Sequence, residues 1–393
     1  MNKHFLFASL FALGVMATPV AFTSCSSDDP VVNPDNKPAG EAFACIEQIL
    51  DGCNDIANEV GESKIGTPIS LEQEGKHTEA LYAVESWYSF HSREDYSNNI
   101  YSIRNAYYGT RDGSIAEHSL SKLVAGVNPT LDAQVKTAIS EAAQAILDIP
   151  NPFRNNIASA QSIVAQAKCA ALKDKLTELK GYIENNGAIN QDENLDPVIQ
   201  DYVNNVVLPT YRDLKDGNSR LYDAVLAFQA NPSNDGFKAV AEAWLNARAP
   251  WETSEAFLFG PVDALGLDPN MDSWPLDQDQ IMTILTSGKY NDLDWTDDNT
   301  EDEIANIQAV RGFHTLEFLT FRNGVARTLN DVAASDDNAD VVYNAQNAAS
   351  WGNYMKQVAF LLKRDAESLY NAWTVSYEGG DSFAKQFLSH NFH

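Results

Sequence analysis

Residues 311–324 read Arg-Gly-Phe-His-Thr-Leu-Glu-Phe-Leu-Thr-Phe-Arg-Asn-Gly and set Gly312, His314 and Glu317 in a Gly-x-His-x-x-Glu pattern within an apolar run. Helical positions three apart share a face. His314 and Glu317 therefore point one way, leaving Phe313, Leu316 and Phe321 for a core. An imidazole and a carboxylate on one face can hold a metal ion, act as an acid/base pair, or satisfy each other when buried. A glycine inside a helical run costs about 1 kcal/mol against alanine, so Gly312 is expected to answer a packing or access need. The spacing alone is cheap: His91-Ser92-Arg93-Glu94 repeats it in the same chain.

Outward from this stretch, the apolar residues recur every three or four positions. Such stripes predict helices over 41–60, 79–90, 119–125, 130–146, 153–183, 195–228, 237–257, 277–286, 303–321 and 341–373, with a last turn near 383–388. Residues 61–75 and 260–275 are expected as loops, 289–302 as irregular and 330–340 as a polar linker. Pro209 predicts a kink or break in its helix. Strand-type alternation is almost absent. The expected fold is all-α, two packed helical bundles with a cleft between them. The polar segment 185–196, with Gly187, divides a domain over 41–190 from one over 191–393 that carries the motif.

The first residues predict an export signal over 1–24, with Lys3 ahead of an apolar run too short and interrupted to span a membrane. Cys25 follows small residues as in a bacterial lipobox, so it is the expected lipidation site and membrane anchor. Residues 25–40 have the composition of a flexible tether. The implied location is the cell envelope, on the periplasmic or surface face of the outer membrane. Cys45 and Cys53 would lie about 12 Å apart on one helix, beyond disulfide reach, and Cys169 leaves an odd count, so no disulfide framework is expected.

A formal charge of −28 repels phosphate backbones, which excludes nucleic acid as a partner class. No His-Glu-x-x-His, His-x-x-Glu-His, Gly-x-Ser-x-Gly, phosphate-binding loop or Cys-x-x-Cys occurs. A metal at His314 therefore needs ligands from elsewhere. Glu252 and Glu255, three apart among aromatic residues, are the other candidates: two carboxylates on one face repel unless a cation, a proton or an arginine lies between them.

Gly-Phe-His-Thr-Leu-Glu, with residues 248–261 (Arg-Ala-Pro-Trp-Glu-Thr-Ser-Glu-Ala-Phe-Leu-Phe-Gly-Pro) and Asp272-Ser273-Trp274-Pro275, resembles the imelysin family, also filed as peptidase family M75. Ser92-Arg93-Glu94-Asp95-Tyr96, Asn105-Ala106-Tyr107-Tyr108-Gly109, Ile149-Pro150-Asn151-Pro152-Phe153 and Val207-Leu208-Pro209-Thr210-Tyr211 extend the likeness over all that follows the tether. The block 200–390 precedes the block 41–185 in the family pattern, so this chain reads as permuted. The resemblance implies a two-domain helical envelope protein linked to iron uptake, with His314 and Glu317 as its motif residues near a cleft. Iron, another metal ion or a haem-like ligand is then the expected ligand, and envelope transport proteins the expected partners. The alternatives are a metallopeptidase using His314 and Glu317, or a protein-interaction module in which the pair only packs helices.

Overall fold

The computed structural model describes residues 37–296, 298–331 and 348–392. Residues 1–24, Cys25, most of the tether, the 332–340 part of the linker and the start of the 341–373 helix lie outside them. The described residues are all-α apart from a short hairpin pairing Phe321–Arg322 with Val325–Ala326.

In the first half, helices Phe43–Asn58, Ser92–Tyr108, Pro129–Leu147 and Ala160–Glu184 pack in a closed ring of four. In the second, Leu208–Ala230, Asn234–Glu252, Gly312–Thr320 and Ala348–Thr374 do the same. The described residues belong to one compact unit, and one apolar core runs through both rings. Across the seam, Asn234–Glu252 and the short turn Glu255–Phe257 rest on Ser92–Tyr108, and Glu255–Phe257 also on Phe43–Asn58. Gly52 permits that contact, because a Cβ there would lie 2.2 Å from the Ala256 carbonyl oxygen. Polar groups bolt the same seam: Ser102 Oγ accepts from the Ala256 amide (3.0 Å), and the Gly324 amide donates to the Tyr88 carbonyl (2.9 Å).

Local signals place many helix ends. Ser119, Asn128, Ser159 and Ser233 cap helix N-termini with their side chains, and Gly109 ends Ser92–Tyr108 in the left-handed region. The break expected at Pro209 is a π-helical turn, Val203–Val207, just before it. Cys45, Cys53 and Cys169 are buried free thiols.

Five expectations need correction. Residues 61–75 are no loop: a π-helical segment Glu59–Gly66 runs into helix Thr67–Gln73. Its glycines serve close approach, since a Cβ on Gly61 would lie 2.9 Å from Cys169 Cβ. The 79–90 helix is only His77–Tyr82, because Ser86 and Phe90 turn with positive φ. The loop 260–275 holds helices Pro261–Ala264 and Leu267–Asp272. The 153–183 helix starts at Ala160, after a short turn at Phe153–Asn155.

The 303–321 helix is two, Glu301–Gln308 and Gly312–Thr320. They part at Gly312, whose φ of +86° suits only glycine and whose Cβ would meet the Met271 carbonyl oxygen at 2.6 Å. Gly312→Ala is expected to lower stability by about 2 kcal/mol or more, the left-handed penalty plus a backbone clash. A urea midpoint equal to that of the wild type would refute this account of the break.

Candidate functional site

Gly312–Thr320 is buried at every residue. His314 and Glu317, one helical turn apart, face each other, with Nδ1 3.0 Å from Oε2. The other Glu317 oxygen accepts from the Ser89 amide at 2.9 Å and from Ser89 Oγ at 2.7 Å. Both bonds hold the non-helical 83–91 segment against the motif helix. His314 Nε2 lies 3.0 Å from Asp272 Oδ1, delivered by Leu267–Asp272. The Trp274 ring stands edge-on to the imidazole, centroids 4.8 Å apart.

Arg248, 1 % exposed, is the hub. Its guanidinium pairs with Asp272, lies 2.6 Å from Glu252 Oε1, and sits 3.6 Å from Asp95 Oδ2. Asp272 also accepts from Trp251 Nε1 at 2.7 Å. Asn99 donates to Glu252 Oε2 at 2.6 Å. Asp95 is held by His91 Nδ1 at 2.9 Å and by Ser86 Oγ. Glu252, Glu255 and Asp272 each offer an oxygen within 4.8 Å of the others.

Burial and the nearby Arg248 pull the His314 imidazole down, but Asp272 and Glu317 outweigh them and hold it at about 9. The ring is then an imidazolium donating from both nitrogens. Burial pushes Asp272 up, yet Arg248 and His314 more than offset it and hold the carboxyl well below the usual range. Burial raises Glu252 to about 8 against the pull of Arg248. It also raises Glu255 well above the usual carboxylate range, with Lys64 as the main opposing charge.

His314, Glu317 and Glu252 thus join one network, with Glu255 beside it, though His314, Glu317 and Glu252 are sealed from solvent rather than lining an open cleft. Cys25 lies outside the described residues. Sequence spacing missed Arg248, Asp272, Asp95, Ser89 and Lys64. The repeat at His91 is not idle either: its ring bonds Asp95, four residues on, while Glu94 pairs with Arg93.

The fold and site define an all-α protein with a buried, carboxylate-rich network at the seam of two four-helix rings. The family model described as Imelysin, peptidase M75, matches residues 32–181 and 207–391, and the chain belongs to that family. It is similar to an imelysin peptidase of Bacteroides ovatus, 56 % identical over 73 % of this chain and 82 % of that one, with a TM-score of 0.72. It is also 33 % identical over 123 residues to an iron-regulated protein A of Synechococcus elongatus. That match spans 31 % of each chain, so this sequence covers under a third of the length of that relative.

Proposed function

We propose that this chain is a cell-envelope protein of iron physiology that binds a metal cation through Glu252, Glu255 and Asp272, anchored by lipid at Cys25 and handing its cargo to envelope transport proteins. One observation carries the reading. The Glu255 carboxylate, 8 % exposed, has no hydrogen bond or ion pair to a described residue, yet it lies within the three-carboxylate cluster. An unpaired carboxylate is costly to bury, so burial favours the protonated form of Glu255, and a cation bound there would take the place of the proton.

Three carboxylates offer oxygen donors, which suit hard cations. His314 then serves by position: it holds Asp272 on one side and is itself held by Glu317 on the other. The name of the cyanobacterial relative makes iron the first ion to test. The peptidase and haem readings ask for a free ring nitrogen on His314, and both nitrogens face carboxylates. The peptidase reading also asks Glu317 for a free oxygen, and both are engaged.

Metal analysis of natively purified protein is expected to give about one equivalent per chain, lost in Glu255→Gln and retained at lower affinity in His314→Ala. Equal metal in wild type and Glu255→Gln would remove the carboxylate cluster from the site.

A further inference from the structure

The turn at residues 86–91 aims two side chains at one carboxylate. Ser86 and Phe90 both take positive φ, +53° and +60°, where residues other than glycine are uncommon. The His91 amide closes the turn on the Ser86 carbonyl at 3.1 Å. Ser86 Oγ then donates to Asp95 Oδ2, and His91 Nδ1 lies 2.9 Å from Asp95 Oδ1. Strained turns of this kind persist where their surroundings over-determine them, and they gather at functional sites.

The two histidines of the seam differ in what they can exchange with water. His314 is sealed, with a carboxylate on each ring nitrogen. His91 is 29 % exposed, and its Nε2 bonds no described residue. His91 is thus the wet end of a path that runs through Asp95 to Arg248, and on to Asp272 and Glu252. The loosest joint of that path crosses the seam. Arg248 Nε makes no hydrogen bond to a described residue and lies 3.6 Å from Asp95 Oδ2. Burial pulls the His91 imidazole down, but the bond and charge of Asp95 raise it above the usual histidine value, helped by Glu94 beside it and by Glu317 on the motif helix.

We propose that His91 is a positioning residue of the cation cluster: through Asp95 it sets how much of the Arg248 charge is left facing Glu252 and Asp272. This rests on reading Glu252, Glu255 and Asp272 as a cation site. With His91 protonated, an imidazolium and a guanidinium share one carboxylate, and Arg248 turns its full field on the cluster. With His91 neutral, Asp95 offsets Arg248 alone, and the cluster presents a larger negative charge to an incoming cation. The proton leaves from Nε2, so the Nδ1–H bond to Asp95 survives and the charge changes without a change of contacts.

Calorimetric titration of the metal-free full chain with Mn2+ at pH 6 and pH 8.5 tests this. At pH 6, His91→Gln is expected to bind at least about threefold more tightly than wild type, and at pH 8.5 the two are expected to agree. His91→Lys, charged at both values, is expected to bind more weakly than His91→Gln at each. If the Gln variant fails to fold, His91→Asn makes the same measurement. A wild-type to Gln affinity ratio that is the same at both pH values would reduce His91 to a packing role and overturn the proposal, while leaving the cluster a cation site. No Mn2+ binding by wild type or variant at pH 8.5 would overturn the cation reading of the cluster, and this proposal with it.

Discussion

Arg248→Met should destabilise the protein by about 3–5 kcal/mol, the usual cost of leaving buried charge without its partner. The guanidinium faces Asp95, Glu252 and Asp272, and none of the three is more than slightly exposed. Removing it leaves His314 as the remaining direct cation on Asp272 and leaves Glu252 with only Asn99. Methionine fills much of the volume, so the loss reads as charge and not as cavity. Arg248→Lys keeps the charge but cannot reach three carboxylates with a planar fork, and a smaller loss is expected. Urea denaturation of the three proteins measures both. A loss below about 1 kcal/mol in the Met variant would mean that water screens the network as it does surface pairs.

The second large effect is on pH. The folded state holds His314 at about 9 against 6.5 for the free side chain. Its contribution is fully present below pH 6.5 and is lost as pH rises through 9, a difference of about 3 kcal/mol. Glu252 is raised from 4.5 to about 8, so the fold also favours its protonated form; that contribution is fully present below pH 4.5 and is lost as pH rises through 8. Asp272 and Asp95 run the other way: both are depressed, so their stabilisation is present above pH 3.8 and disappears on acidification. The metal-free protein should therefore be most stable near pH 4–5 and lose several kcal/mol by pH 9. Urea midpoints at the two ends of that range check this. His314→Gln should flatten the slope, and an equal slope in that variant would show that the imidazole is not the group responsible.

Periodicity makes the all-α architecture legible, because each long helix buries one stripe and shows the other. The same spacing makes Glu252/Glu255 and His314/Glu317 visible as pairs. What joins the pairs is not legible in spacing. Arg248, Asp272 and Asp95 meet only through packing, and no periodicity links residues 153 positions apart, such as Asn99 and Glu252. Arg248, Asp95 and Asp272 do lie in the stretches that resemble the family, so family likeness carries the signal that spacing lacks. Glycine misleads in a specific way. Gly61 and Gly66 look like loop residues, but they mark where one helix presses against another. Ser86 and Phe90 escape detection because nothing in their spacing marks a turn; the bonds found there join Ser86 to Asp95 and Ser89 to the distant Glu317.

The bond between Ser89 and Glu317 spans 228 positions of the chain. Closing so long a loop is slow, and contacts of that range form late. Either ring can gather most of its own helices first: Arg248, Glu252, Asp272, His314 and Glu317 pair within the second half, and Asp95, Asn99 and Ser89 reach them only when the two rings dock. The network is thus a device of timing as well as of stability. A chain halted before docking would hold Arg248 among its own carboxylates but lack the clasp that Asp95, Asn99 and Ser89 supply from the other half.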